Sequence, residues 1–317
     1  MWHKYDYFIT LTESSNLSEA AEKLNISHQR ISKYLKDLEK EFGIVLFERK
    51  PVLKLTADGQ ALLETIHHIE LLELNLKNLY LNRNEGMPQS IRLGVPAGRY
   101  RLIFPDVLLE FKRKYPNVRL DITDASSFRL NEQLLKYELD MALMNGYVAD
   151  AQSLSVQSML SEKLYFVVSD HMLEKYLPLQ YPDYRSRYRS GIPVKDLQNF
   201  PVTLNLPYSI SRQTIDFCLR SYGVKLNCLL EIPQPDVHIM LAARDYTACF
   251  CWEMYLATVH QLNRLYPQNH LNAFPVQAMG AHNEIVLAWR KGRVLTECDR
   301  NLAAIIRNYC SGFMHKP

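Results

Sequence analysis

Between positions 28 and 36 stand His28, Gln29, Arg30, Ser32, Lys33 and Lys36, side chains that can read a nucleic acid. Their amides, hydroxyl and cations form hydrogen bonds with base edges and pair with phosphates. Ile31, Leu35, Leu38 and Phe42 run through the same segment at i, i+4, i+7 and i+11, so one helix buries the apolar stripe and turns the polar set outward. Charge gathers here too. From Arg30 to Lys54 the basic residues are Arg30, Lys33, Lys36, Lys40, Arg49, Lys50 and Lys54, against Asp37, Glu39, Glu41 and Glu48. The first 29 residues are acidic on balance, and the whole chain carries only +3, so placement rather than total charge points to phosphate. Ser27, which opens the helix, belongs with the DNA-binding set. Ser18, Arg49, Lys54 and Thr56 are better suited to phosphates, as is Lys36.

A second chemistry is suggested by two polar turns. Pro96-Ala97-Gly98-Arg99-Tyr100 follows an apolar strand and opens a helix, so its backbone N–H groups can face an anion. Thr203, Asn205, Ser209, Ser211 and Arg212 form another such turn, and Asn145 directly follows the strand Met141–Met144. Arg99 and Arg212 converging on one cleft would suit a carboxylate or phosphate. A surface or inter-lobe ion pair is the equal alternative for each guanidinium.

Catalytic sets are not found. The chain has no GxSxG, Walker loop, HExxH or Rossmann fingerprint, and no cofactor is implied. His67, His68 and Glu70 fall in a leucine-rich helix, where exposure is the simpler reading than metal binding. The six cysteines form no CxxC pair, and Cys249 and Cys251 sit in an apolar strand-like run, ACFCW. Reduced, buried thiols, the lack of a signal-peptide core in MWHKYDYF and the lack of any run approaching a membrane span predict a cytoplasmic protein with no membrane partner.

These residues need elements to hold them. Ala20, Ala21 and Leu24 predict a short helix, with Ser18 as its N-cap and Asn25 at a positive φ in the following turn. The basic helix and a wing come next. A long helix over about 57–84 carries Leu62, Thr65, Ile69, Leu72, Leu76 and Leu79 at heptad spacing, an apolar seam one chain cannot readily cover and so a dimerisation surface, with packing on its own chain as the alternative and room for both. Asn84-Glu85-Gly86-Met87-Pro88 is a linker by composition. Strands then alternate with helices: Ile91–Val95, a helix near Leu102–Tyr115, Val118–Thr123, a helix near Leu130–Tyr137, and Met141–Met144. That rhythm argues for parallel α/β structure. Tyr181–Ser190, with three arginines and three tyrosines, reads as an inserted, solvated loop, with contact to nucleic acid or a partner as its alternative.

The first sixty residues resemble the winged helix-turn-helix of LysR-type transcriptional regulators. Phe8, Ser18, Ala20-Ala21, Leu24, Ile26-Ser27, Ser32, Leu38-Glu39, Gly43, Leu46-Phe47, Arg49, Leu55-Thr56 and Gly59 carry the likeness in order. His28 and Gln29 depart from the family's usual Gln and Pro, and the wing is about one residue short. The likeness implies an α + α/β chain: a winged helix-turn-helix over 1–59, a linker and dimerisation helix over 60–87, and an effector domain over 88–317. That domain would be two-lobed, like type 2 periplasmic binding proteins, with lobe one at 90–163 and 270–303 and lobe two at 164–269. LYFVVSDH (164–171) would carry the first crossover and EIVLAWRKG (284–292) the returning strand. RDYTACF (244–250) replaces a turn that carries glycine in the family. The implied function is regulation of transcription: promoter double-stranded DNA bound as a dimer or tetramer, a small effector in the cleft, for which the two arginines suggest an anion, and RNA polymerase as a further partner of an activator. Some relatives sense oxidants, which raises a Cys218–Cys228 pair. An enzyme on a small metabolite lacks a catalytic set, and a solute-binding module would not need residues 1–83.

Overall fold

The computed structural model describes residues 5–48, 52–81, 90–178, 183–276 and 283–312. The chain divides into two compact units, Met1–Arg83 with Gly292–Val294, and Asn84–Lys291 with Leu295–Pro317.

In the first unit, helices Asp6–Thr12, Leu17–Lys23 and His28–Phe42 lead into a two-stranded wing, β1 (Phe47–Glu48) and β2 (Lys54–Leu55), and then a helix over Ala57–Leu81. The second helix starts two residues earlier than Ser18 suggests. Asn16 is extended, and its side chain accepts the Glu19 N–H at 2.9 Å. Ser18 lies inside the first turn, so Asn16 is the cap. Glu19 in turn accepts from the Ser15 N–H and hydroxyl and pairs with Lys23, which together pull its pKa down from 4.5 to about 2. Asn25 takes φ 50° in the turn, as its residue type predicts. Phe8, Leu11, Ala20, Ala21, Ile31, Leu35, Leu38, Leu46 and Phe47 close the core. Phe42 does not join it: it is 42% exposed, on the last turn before the chain reverses at Gly43. Gly59 is required by close approach, because a methyl group there would overlap the Leu46 carbonyl oxygen.

The second unit has two five-stranded sheets. Lobe one orders its strands β4-β3-β5-β12-β6, where β3 is Ser90–Val95, β4 Arg119–Asp124, β5 Met141–Asn145, β6 Leu154–Glu162 and β12 Asn283–Arg290. Lobe two orders them β11-β7-β10-β8-β9, where β7 is Leu164–Ser169, β8 Pro201–Leu204, β9 Asn227–Glu231, β10 Ala248–Trp252 and β11 Leu271–Pro275. β4-β3-β5 and β10-β8-β9 pair in parallel, and β7, β11, β6 and β12 add antiparallel ladders. Lobe two therefore extends past residue 269, because β11 pairs with β7 across five residue pairs. The first crossover is Lys163 alone, between β6 and β7; LYFVVSDH is already inside lobe two. Residues 277–282, before β12, lie outside those described. The C-terminal helix Glu297–Gly312 packs Leu302, Ile306 and Cys310 into the lobe-one core.

Two local expectations change. Tyr184 and Tyr188 are core residues of lobe two rather than parts of a solvated loop; their hydroxyls donate to Asp170 and Asp196. Where the glycine turn is missing, Asp245 itself adopts φ 59°, a conformation that short polar side chains tolerate. Its carboxylate accepts from Ser169, from Asn269 at 2.8 Å and from His171 at 3.0 Å.

Candidate functional site

The candidate nucleic-acid face is built on the helix His28–Phe42. Ser27 caps it by accepting the Arg30 N–H at 3.3 Å. With Ile31, Leu35 and Leu38 buried, helical geometry leaves His28, Gln29, Arg30, Lys33 and Lys36 exposed and Ser32 half-buried. The Arg30 guanidinium lies 6.0 Å from the centre of the Tyr7 ring, which braces it without pairing its charge. Ser18 is exposed in the first turn of its helix, and Lys54 is exposed on β2. Thr56 departs from the expectation. Its hydroxyl donates to the Val45 carbonyl at 2.6 Å and accepts the Gly59 N–H at 3.0 Å, so its proton is taken by the Val45 carbonyl and its oxygen by the helix start, rather than by a phosphate. Arg49 lies outside the described residues.

Along the helix Ala57–Leu81, Ile66 is buried with the head core and Leu62 packs against it. Ile69 is half-buried, while Leu72 and Leu76 are 67% and 54% exposed. One side of the helix therefore serves its own chain, and the other leaves an apolar stripe uncovered. The side chain of Leu79 lies outside those described.

Between the lobes of the second unit is a cavity of about 390 Å³. Four helices start at its wall: Ala97–Lys114 and Ser127–Leu135 from lobe one, Ile210–Ser221 and Pro235–Ala242 from lobe two. Their caps Pro96, Ser126, Ser209 and Gln234 all line it. The helix starts concentrate unpaired N–H groups and partial positive charge in one place. Four serine hydroxyls add to this. Ser126, Ser127, Ser209 and Ser211 each accept a protein N–H, from Arg129, Asn145, Arg212 and the Trp252 indole. A hydroxyl used in this way still has its own proton to donate.

Of the expected effector residues, Ala97, Gly98, Arg99, Asn145, Asn205, Ser209 and Ser211 line the cavity. Thr203 does not: β8 is buried along its length, and the Thr203 hydroxyl shares a 2.6 Å hydrogen bond with Thr247. Tyr100 stacks on Phe104 instead. Neither arginine is a free cation. Arg99 is buried against Glu162; burial alone would lower its pKa, but that carboxylate outweighs burial and raises it. Glu162 also accepts from Asn283 at 2.7 Å and the Met254 N–H at 3.3 Å, and Asn283 accepts from Asn145. Arg212 is held by Asp216, Glu231 and the Asn205 carbonyl, and again the carboxylates outweigh burial. It does not line the cavity. Ser126, Ser127 and Trp252 were missed from sequence, although the polar DASS run between a strand and a helical pattern is the same signal that marked Pro96–Tyr100.

Elsewhere, Cys218 and Cys228 are free thiols, and burial pushes both pKa values up, the reverse of what thiolate reactivity asks. No group of three metal-ligating side chains occurs among the described residues, and no described helix is long and apolar enough to cross a membrane.

Both halves match known families over almost their full length. Residues 2–60 match the bacterial regulatory helix-turn-helix protein, lysR family, and residues 84–311 match the LysR substrate binding domain. The chain belongs to the LysR family. It is a DNA-binding transcriptional regulator with an effector-binding domain, and neither the family nor the relatives below are enzymes. It is 25% identical to the uncharacterised regulator YcgK of Bacillus subtilis over 238 residues, 71% of this chain and 72% of that one. It is 24% identical to CysL of the same organism over 226 residues, 71% of each chain. Among solved structures, a full-length OxyR variant from Pseudomonas aeruginosa has a TM-score of 0.64 at 16% identity, covering 97% of this chain and 93% of that one. Full-length CbnR complexed with its target DNA has a TM-score of 0.53 at 17% identity, covering 99% of each. At these identities the structural likeness speaks for the fold.

Proposed function

We propose that this regulator binds promoter DNA in the cytoplasm as a dimer or tetramer, and that a small oxyanion-bearing effector in the inter-lobe cavity sets its activity. His28, Gln29, Arg30, Ser32 and Lys33 face the bases and nearby phosphates, with Ser27 capping them into place. Ser18, Lys36 and Lys54 take phosphates, as Arg49 would from the wing. Leu72 and Leu76, with Ile69, form the seam with a second copy. An activating form would contact RNA polymerase from its DNA site.

The observation that carries the effector reading is the convergence of four helix caps and four hydroxyl donors on one cavity. Its volume lies within the range of roughly 300–1,000 Å³ common for small-ligand sites. Since Arg99 and Arg212 are already neutralised, the anionic group is met by helix starts and hydroxyls, not by a guanidinium clamp. Binding across the lobes would favour one lobe arrangement by its differential affinity, and so bias the oligomer. The test is a thermal-shift screen of small carboxylates and phosphates on the full chain, with calorimetry on each hit. The reading expects a hit that Ser126→Ala with Ser209→Ala weakens. A ligand with no carboxylate or phosphate group binding as well as its oxyanion-bearing analogue would overturn the oxyanion assignment.

A further inference from the structure

The charges around the cavity do not balance as a simple oxyanion site would. Among the described residues that line the cavity, two bear formal charge, Arg99 and Asp124. Arg99 is cancelled by Glu162 behind it. Asp124, at the C-terminal end of β4, is exposed and has no ion-pair or hydrogen-bond partner among the described residues. It stands two positions before the Ser126 cap, on the same rim as the Ser126 and Ser127 hydroxyls. A wall built from N–H and O–H donors thus holds one uncompensated carboxylate. A ligand that was only an anion would meet the donors favourably and Asp124 unfavourably.

A ligand with a cation beside its anion satisfies both. Resting on the effector reading above, we infer that the effector is an α-amino acid, its carboxylate at the helix caps and serine hydroxyls and its ammonium at Asp124. The ammonium is a compact three-donor charge, and its attachment one carbon from the carboxylate matches a carboxylate acceptor close to a donor-rich cap. Trp252, Phe128 and Tyr208 supply the apolar wall for the remaining side chain. Asp124 then decides specificity: it rejects the deaminated acid by repulsion and admits the zwitterion.

The experiment uses calorimetry on the full chain with the twenty common amino acids, each matched by the carboxylic acid lacking its α-amino group and by the amine lacking its carboxylate. The inference expects one amino acid to bind at least ten-fold more tightly than either matched compound. Asp124→Asn should weaken that amino acid about ten- to a hundred-fold, the range of a charge-assisted hydrogen bond, and leave the matched acid unchanged or tighter. Ser126→Ala with Ser209→Ala should weaken amino acid and matched acid alike. Asp124→Ser gives a second variant, and the unliganded melting temperature of each confirms folding. The inference is overturned if no amino acid binds, if a matched acid binds as well as its amino acid, or if both Asp124 variants bind normally. A simple acid that loses affinity with the serines but not with Asp124 would overturn it while leaving the cavity reading intact. If no compound of either screen binds, both fall.

Discussion

Gly98 sits in the first turn of the helix Ala97–Lys114, against the ring of Tyr255 from lobe two. A β-carbon there would overlap the Tyr255 hydroxyl oxygen, with the ring carbon that bears it 3.2 Å away. Tyr255 is 5% exposed and packed in the lobe-two core, so it has little room to withdraw. Gly98→Ala should therefore cost about 1–3 kcal/mol, the usual penalty for forcing a methyl group into a filled interior. The offending atom is one oxygen, which supplies the control. Tyr255→Phe removes it and leaves a contact of 3.2 Å that a shift of a few tenths of an ångström relieves. No hydrogen bond of the Tyr255 hydroxyl is among those described, so that change alone should be nearly neutral. The double variant should recover most of the loss, giving a coupling of about 1–2 kcal/mol. Urea unfolding of the full chain, followed by the tryptophan Trp252 close to the contact, reads all four corners of the cycle. A Gly98→Ala protein as stable as wild type, or one that Tyr255→Phe does not rescue, would refute the close packing of the lobes at this point.

Other outcomes follow from the same contacts. Lys36→Ala should weaken binding to cognate and random DNA alike and lower the salt slope by about one; a sequence-dependent loss would move Lys36 into the base-reading set. Leu72→Glu with Leu76→Glu should break the oligomer in sedimentation, since charge would be buried at the seam; an unchanged oligomer would place the interface elsewhere. The His171–Asp245 clasp should show a pH window. The Asp245 hydrogen bond raises the His171 pKa above 6.5, so its contribution is full below that pH and fades as pH rises through the folded value. For Asp245, burial is outweighed by its hydrogen-bond donors and the pKa falls below 3.8, so its part is present above that pH and is lost in acid. The stability lost in His171→Ala should be larger at pH 5.5 than at pH 8; equal losses would dismiss the clasp.

Much of the DNA-reading head is legible in the sequence because its signals are local. Asn25 marks the turn and Ser27 the start of the basic helix, and the spacing of Ile31, Leu35 and Leu38 sets which side faces out. Ser18 and Asn16 are both good caps two residues apart, and only the extended backbone at Asn16 decides between them. Phe42 keeps the periodic spacing but runs out of core at the helix end. In the effector domain the alternation of strands and helices is local, whereas partnership is not. The pairing of β11 with β7, which moves Leu271–Pro275 into lobe two, links residues about a hundred positions apart. That both arginines are already ion-paired is hidden for the same reason: Glu162 lies 63 positions beyond Arg99, and Glu231 lies 19 beyond Arg212. Helix caps are legible because a cap is a short-range feature, while the charge state of the cavity depends on which distant carboxylate reaches which guanidinium.

Selection of genomic fragments by the purified full chain, followed by sequencing, tests most directly that the face on His28–Phe42 reads DNA for a regulator that works as an oligomer. The wild-type protein should enrich one motif with two half-sites spaced by a helical turn or a multiple of it. Gln29→Ala with Lys33→Ala, folded by its melting temperature, should retain weak binding to all fragments and lose that motif. Enrichment of the same motif by this variant, or of no motif by the wild type, would contradict the account.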